Sequence, residues 1–494
     1  MGHIITRSVT PVILKLFYPA FVEKLMSVRN ILFVHGYSES SLGAYYDVPR
    51  ILRGNGDQFQ EIVLSAFDSL DDGVSIDDLA YALEDHATNI TAKRGWNFRE
   101  TAVICHSTGA LVARRWILNR LAAAKLPLPS HLITMAGANH GSTLAQVGKS
   151  VLGYMQKALD KHILAVGKRV LTDLDYGSDF LLNLNREWME KWNNGSLRSQ
   201  LYAFSMGGDV LGAPGENELF QLFWYTSESG SDNTVRISGA NLNYTIFDAD
   251  ITTTPPSLSP TVINPRVPHL VIPGYSHFGS RSGILGNVQT ATDPPMAALL
   301  EALSIGNDAD YEALEGKWSA ATDVWSAAHP ESCYSTAVFS LFDSGGAAID
   351  DCFIGIMDGN VAAANAGIMA LAAASKAVAS HQPIHNDVQR ASYSFYLNYN
   401  EYLKSHPHVL HIEAHTLSPL LKYQVMDLMQ PQPPPEHLVA PNQFTYIRLI
   451  LPKDTDDTYA VYQWAPELEL SSITWNPPAA PFPTSGQILL PLTP

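Results

Sequence analysis

The sequence predicts an α/β protein in which a central, mostly parallel sheet with helices on both faces is followed by an acidic, β-rich C-terminal domain. Three observations carry that expectation. From residue 28 onward, short β-branched runs alternate with longer amphipathic stretches, the pattern of parallel strands joined by crossover helices. After about residue 310 the alternation gives way to runs rich in aromatic and β-branched residues, punctuated by glycine turns. Finally, 494 residues, 46% apolar and only 16% charged, are too many for one compact domain and sufficient to bury large cores. The chain therefore divides into an N-terminal segment 1–27, an α/β domain 28–310 and a β-rich domain 311–494.

The elements follow in order. Residues 28–34 read as the first strand, ended by His35-Gly36, and 41–53 as a helix. A second strand spans 60–67. Ser75 followed by Asp77 and Asp78 opens a helix to about Arg94, because a serine oxygen caps the first free N–H groups and early acids suit the helix dipole. Residues 101–105 form a third strand that passes directly into a helix from Gly109 to Lys125, stopped by Pro127 and Pro129. Strands at 131–135, 201–205 and 267–272 complete the series. Between 144 and 175, apolar residues at helical spacing are interleaved with lysines, which fits either a packed helix or a lid. Beyond 310, residues 334–342 and 347–356 read as a hairpin about Ser344-Gly345-Gly346, with Cys352 opposite about Ala337 and too far from Cys333 for a disulfide. Further strands are expected at 392–399, 409–413, 443–451 and 459–464, a buried helix at 359–375, and a stiff connector at 430–435.

Charge and cysteine content exclude several functions. The net charge is −17, and after residue 310 only 7 basic residues face 18 acidic ones, so a phosphate backbone would be repelled and nucleic acid is not an expected partner. Three scattered cysteines, Cys105, Cys333 and Cys352, cannot build a disulfide framework or a zinc site. No metal and no cofactor are expected. The first thirty residues lack a recognisable secretory signal, which fits a cytoplasmic protein or one exported by another route.

The chemistry centres on Cys105-His106-Ser107-Thr108-Gly109. A strand entering a helix through a tight turn on serine, with small neighbours, is the nucleophile-elbow pattern G-x-S-x-G, here with Cys105 in place of the first glycine. A serine hydroxyl is a weak nucleophile at neutral pH and needs a base oriented by a carboxylate, arriving in the order Ser, Asp, His. His277 follows the last predicted strand and is the candidate base; His269 lies within that strand and reads as packed, while His131 and His140 come too early. Asp232, in a polar turn leading into a β-branched run, is the favoured acid, and Asp209, after Gly207-Gly208, is the alternative. The oxyanion of an acyl-transfer intermediate needs two backbone donors, for which the N–H groups of Thr108 and of Tyr37, in the loop after the first strand, are the candidates.

These residues resemble the α/β-hydrolase superfamily, and within it bacterial lipases and esterases related to the PGAP-type and DUF676-type hydrolases. Besides the His35-Gly36 loop and the elbow, Met135-Ala136-Gly137-Ala138-Asn139-His140-Gly141-Ser142 is similar to the T-P-H-x-G-S stretch of lipases, and Gly177-Ser178-Asp179-Phe180-Leu181, Ser231-Asp232 and Ser276-His277 fall in the same order. The similarity covers about residues 28–290 and stops before the acidic domain. It implies the α/β-hydrolase fold and metal-free hydrolysis of a carboxylic ester, lipid-like, through an acyl-enzyme. The partners would be an ester or lipid substrate, with transient contact at a membrane or lipid interface. The alternatives are a phospholipase acting on membranes or as a toxin, and a non-catalytic binding module on the same fold.

Overall fold

The computed structural model describes residues 28–37, 42–54, 59, 61–65, 71–143, 145, 167–210, 228–250, 257–262, 266–358, 377–379, 384–386, 388–404, 408–416, 421–423, 428–429 and 439–455. The N-terminal segment 1–27, the expected helix at 359–375, the connector at 430–435, the strand at 459–464 and most of the 144–175 stretch lie outside these residues.

The strands of the first half are β1 (Asn30–Val34), β2 (Glu61–Ser65), β3 (Thr101–His106), β4 (His131–Met135), β5 (Tyr202–Gly208), β6 (Tyr244–Asp250), β7 (Ser257–Val262) and β8 (His269–Ile272). Six of them make an all-parallel sheet in the order β2-β1-β3-β4-β5-β8. β1, β3 and β4 are buried along their whole length, which is why they read as continuous apolar runs.

The helices are α1 (Val48–Gly54), α2 (Ile76–Arg94), α3 (Gly109–Ala122), α4 (Lys168–Leu174), α5 (Asp179–Asn193), α6 (Ile237–Ala240), α7 (Pro294–Leu303), α8 (Asp308–Ala328) and α9 (Tyr399–Lys404). The expected helix at 41–53 is broken: a 3-10 turn at Leu42–Tyr45 is separated from α1 by Tyr46, whose φ of 45° leaves the helical region. α2 starts as its sequence predicts, with Ser75 Oγ accepting from Asp78 N at 3.2 Å and Asp78 Oδ2 accepting from Ser75 N at 2.9 Å. α2 packs on α3 and α3 on α5, while α7 lies against β4 and α8 against β8.

The remaining strands are β9 (Tyr334–Asp343), β10 (Cys352–Asp358), β11 (Ile384–His385), β12 (Ser392–Asn398), β13 (His408–Ala414), β14 (Leu421–Tyr423), β15 (Leu428–Met429), β16 (Phe444–Leu451) and β17 (Lys453–Thr455). A second six-stranded sheet runs β11-β12-β9-β16-β6-β7, with β16 parallel to both β9 and β6. The two large sheets do not part the chain at residue 310. β6 and β7, which precede that point, belong to the second sheet, and α8, which spans 308–328, packs on the first.

The expected hairpin at 334–356 is also corrected. The chain does reverse at Asp343, whose Oδ1 accepts from Gly345 N and Ala347 N at 2.9 Å each. Pairing then stops after Phe342 opposite Ala348, and β10 joins β13 instead. Both edges of β9 are already taken by β12 and β16, so β10 has no edge to claim. Cys352 consequently faces Ala414 rather than Ala337, and all three cysteines are free thiols.

The two sheets meet through a buried polar chain between apolar side chains. Arg114 of α3 donates to Asn139 O at 3.0 Å and to Asn185 Oδ1 at 2.8 Å, and Asn185 Nδ2 donates to the Tyr446 hydroxyl at 2.8 Å. His140 Nε2 donates to Asn241 O at 2.9 Å, which leaves Nδ1 to accept from that same hydroxyl at 3.0 Å. Tyr176, Met189, Tyr244, Ile246, Val338 and Phe444 surround it. Buried polar groups are costly unless satisfied, so each link holds the two sheets in one relative placement. Replacing Tyr446 with Phe is expected to lower stability by about 1–3 kcal/mol, because the His140 acceptor loses its donor. Urea denaturation should give one transition shifted to a lower midpoint; two separate transitions would mean that the sheets unfold independently.

Candidate active site

The site begins at the C-terminal end of β3. Ser107 has φ 55°, a left-handed conformation unusual for a residue with a side chain, and the strain is held by contacts on three sides. Its N–H donates to Met135 O at 3.4 Å, and its carbonyl accepts from Ala110 N and Ala138 N, both at 3.1 Å. The first turn of α3 presses on the end of β1. A Cβ on Gly109 would lie 2.3 Å from Val34 O and 2.4 Å from His35 O, so only glycine fits. Cys105, where the pattern has glycine, is fully buried between Val34 and Thr134 of the neighbouring strands, and burial pushes its thiol well above the usual range. A thiol so placed is a small apolar filler.

The loop after β1 comes against the serine. A Cβ on Gly36 would lie 2.8 Å from Ser107 Cβ and 3.4 Å from Oγ. His35 Nδ1 donates to Gly36 O at 2.8 Å, which turns the peptide so that its other end, the Tyr37 N–H, faces the opposite way. The Tyr37 phenol itself is pushed up to about 12 by burial, with Asp72 adding to the shift. Thr108 stands at the N-terminus of α3, where backbone N–H groups and the helix dipole favour negative charge.

His277 and Asp232 are brought together by two contacts. The His277 N–H donates to Asp232 O at 2.8 Å, and Nδ1 donates to Asp232 Oδ2 at 2.8 Å. Because Nδ1 carries the proton, the lone pair sits on Nε2, which is buried and has no hydrogen-bond partner among the described residues. Ser107 and His277 are thus not hydrogen-bonded to each other here, as is common before substrate tightens such a pair. What links them is His106, adjacent to Ser107, whose ring lies 4.7 Å from that of His277 and hydrogen-bonds its main chain. Desolvation, reinforced by the neighbouring rings of His277 and His35, holds His106 well below the usual histidine range.

Asp232 is fixed by its own turn. Its Oδ1 accepts from Val235 N at 2.7 Å and Thr234 N at 3.1 Å, leaving Oδ2 for the imidazole. Asn233 takes the left-handed φ of 80° that this tight turn demands. Asp209, the alternative acid, has a different role: its carboxylate accepts from Gly274 N at 2.7 Å and from the Trp325 indole at 2.8 Å. It ties the loop before His277 to the end of β5, where a Cβ on Gly208 would sit 2.0 Å from Tyr275 O. His269 is packed, as its strand position predicts, with Nδ1 2.9 Å from Ser205 Oγ. His131 and His140 hydrogen-bond carbonyls away from Ser107. Sequence reasoning placed His35 and His106 in their motifs but missed the supporting contacts they make, and missed Trp325 altogether, because those contacts come from segments far apart in the chain.

Among the described residues, no group of three or more His, Cys, Asp or Glu could hold a metal ion, and no helix is long and apolar enough to cross a membrane. The fold and this arrangement define the class: the chain has the α/β-hydrolase fold, extended by a second sheet. No family model and no curated protein matches it. Among solved structures it is similar to phospholipase PlaB from Legionella pneumophila, with a TM-score of 0.74 and 24% identity over 91% of this chain and 98% of that one. The same phospholipase in complex with thio-NAD gives 0.73 and 24% over 90% and 98%. The mature lipase BlEst2 from Bacillus licheniformis aligns with 56% of this chain and 93% of its own, at 18% identity and a TM-score of 0.39. The likeness to the phospholipase shows a shared fold that includes the second sheet.

The buried histidines set a pH dependence. Burial lowers His269 to about 3 and holds His106 and His140 well below the ordinary value, whereas an unfolded chain takes up these protons near 6.5. Their contribution is therefore present above about pH 6.5 and is lost as pH falls toward 3. Asp173, raised to about 6 mainly by burial, works in the opposite sense. His269→Gln isolates one histidine: its denaturation midpoint is expected to depend less on pH than wild type between about pH 7 and 4. An equal or steeper dependence would contradict the neutral buried ring.

Proposed function

We propose that the protein is a serine hydrolase that cleaves carboxylic esters of lipid-like character through an acyl-enzyme. The observation that carries this reading is the His277 ring held at Nδ1 by Asp232, with a bare, buried Nε2, and lying 4.7 Å from the ring of His106, whose neighbour Ser107 is forced into the left-handed turn between β3 and α3. Ser107 Oγ attacks the ester carbonyl carbon while His277 Nε2 takes its proton, and the oxyanion is met by the N–H groups of Thr108 and Tyr37. As the C–O bond to the leaving group breaks, the imidazolium returns the proton to it. A water, deprotonated by the same nitrogen, then releases the acid and restores the serine. Asp232 holds the tautomer and balances the imidazolium charge.

A phospholipase is the favoured form of this activity, because the similarity to a phospholipase runs through both sheets rather than the hydrolase core alone. The non-catalytic alternative is disfavoured by the ordering of the His277 ring by Asp232, whose other oxygen is fixed by its own turn.

Ser107→Ala is expected to reduce nitrophenyl-ester cleavage by about 10⁴-fold or more in a protein that stays folded, and Asp232→Asn by about 10⁴-fold through the wrong tautomer. Undiminished turnover by Ser107→Ala would reject the assignment. A panel of phospholipids, triglycerides and short esters resolves the substrate class; cleavage of short esters alone would remove the lipid readings.

A further inference from the structure

Asp232 is only as well placed as the turn that carries it, and that turn is held from outside the parallel sheet. Its internal bonds, Ser231 Oγ to Glu228 O at 2.7 Å, Asp232 N to Val235 O at 3.1 Å and Ile237 N to Gly230 O at 2.9 Å, define its shape but not its position in the molecule. Position comes from two further contacts. At the base of the turn, Arg236 grips Glu228 in a two-pronged pair, Nε to Oε2 at 2.7 Å and Nη2 to Oε1 at 2.8 Å, with both side chains essentially excluded from solvent at 0% and 1% exposure. The guanidinium is sandwiched between two rings, 4.1 Å from the centroid of Tyr396 on β12 and 4.6 Å from that of Tyr176. The Tyr396 hydroxyl in turn reaches the carbonyls of Ser229 at 2.6 Å and Gly230 at 3.0 Å.

Both rings belong to the second sheet or rest on it. Tyr396 is a residue of β12, and the Tyr176-Gly177 turn is seated on that sheet: Asn386 Nδ2 donates to Tyr176 O at 2.9 Å, and a Cβ on Gly177 would lie 2.8 Å from Ser392 Cβ. Gly230 is pressed just as closely, since a Cβ there would meet Ser332 O at 2.5 Å and the Tyr396 hydroxyl at 2.9 Å. A fully buried Arg–Glu pair adds little net stability over apolar packing, so its presence at the base of this turn calls for a geometric reason.

We infer that Arg236 and Tyr396 are positioning residues for the proposed hydrolysis: the second sheet, through the Tyr396 hydroxyl and the ring-stacked Arg236–Glu228 pair, sets where Asp232 presents Oδ2 to His277. This rests on the triad reading above. It assigns the second sheet a part in turnover, since a displacement of about 1 Å at a reacting centre can cost 10²-fold.

The test compares two tyrosines of one strand in the full-length protein. Tyr396→Phe keeps the ring over Arg236 and removes only the hydroxyl, whereas Tyr393→Phe, three residues earlier on β12, removes a hydroxyl that donates to Cys352 O of β10 at 2.5 Å. Tyr396→Phe is expected to lower kcat about ten-fold with KM little changed, to slow fluorophosphonate labelling of Ser107 to match, and to shift or broaden the low-field proton resonance of the His277 Nδ1–H. Tyr393→Phe should leave all three at wild-type values even where its melting temperature falls. Arg236→Lys, which keeps the charge and loses the fork, should lower kcat further, about a hundred-fold. If Arg236→Lys does not fold, the tyrosine pair still decides. Wild-type kcat and an unchanged low-field resonance in Tyr396→Phe would overturn the inference, as would equal losses in the two tyrosine variants. Failure of the underlying reading looks different: Ser107→Ala would remain active, or wild type would not label at all.

Discussion

The site depends on one backbone constraint, the left-handed conformation of Ser107 at the junction of β3 and α3. Such a residue carries of order 1–3 kcal/mol of strain and persists only where its surroundings over-determine it. Here they do so through sterics. α3 enters so close to the ends of β1 that Gly109 can carry no side chain, and Gly36 touches the serine Cβ from the neighbouring loop. The closeness that leaves no room for a side chain at 36 or 109 is what keeps the Tyr37 loop, the helix N-terminus and the hydroxyl within a few ångströms of each other. Release either contact and the strain would relax by letting Ser107 return to ordinary geometry, with its side chain back toward the strand.

A second constraint is electrostatic. The structure buries Arg114 and Arg236 at 0% exposure but compensates them differently. Arg236 has the carboxylate of Glu228; although burial works against its charge, that partner more than offsets the loss and holds it above its usual range. Arg114 is bound by the carbonyl of Asn139, the amide of Asn185 and the face of Trp188, and desolvation lowers it. A guanidinium remains charged in either setting. Satisfying it with neutral dipoles requires that every dipole be correctly aimed, which explains why Asn139, Asn185, Tyr446 and His140 form one connected chain across the interface of the sheets.

How much of this was legible in the sequence follows from how local each signal is. The elbow at Ser107, the capping box at Ser75 and strands such as His131–Met135 are written in neighbouring residues, and they appear where expected. So does the pairing of Asp232 with His277, because the order of the elements brings a loop after β8 back over the sheet. Partner choice between strands was not legible. No strand is expected from the sequence at 244–250, yet β6 forms there and pairs with β16 of the second sheet. The glycine turn at 344–346 announces a reversal, but not that β9 has both edges occupied by strands from far along the chain. The clamps on the site are equally silent, since Tyr396 meets the 228–236 turn only through the fold.

Asp209 and Asp232 show how such contacts divide work between similar residues. Each stands in a turn after a stretch of the first half of the chain, and each is preceded by glycine or serine, so composition barely separates them. Their surroundings do. Asp232 binds two N–H groups of its own turn with one oxygen, which leaves the other rigidly available to His277. Asp209 uses both oxygens on distant partners, the Gly274 N–H and the indole of Trp325 in α8, and so cannot orient a ring as well. One carboxylate holds the imidazole and the other holds the loop that delivers it. Because Trp325 braces the histidine loop and Tyr396 braces the aspartate turn, elements from beyond residue 308 reach both. The geometry above the parallel sheet is therefore a property of the two-sheet molecule, and no boundary drawn at residue 310 would enclose it.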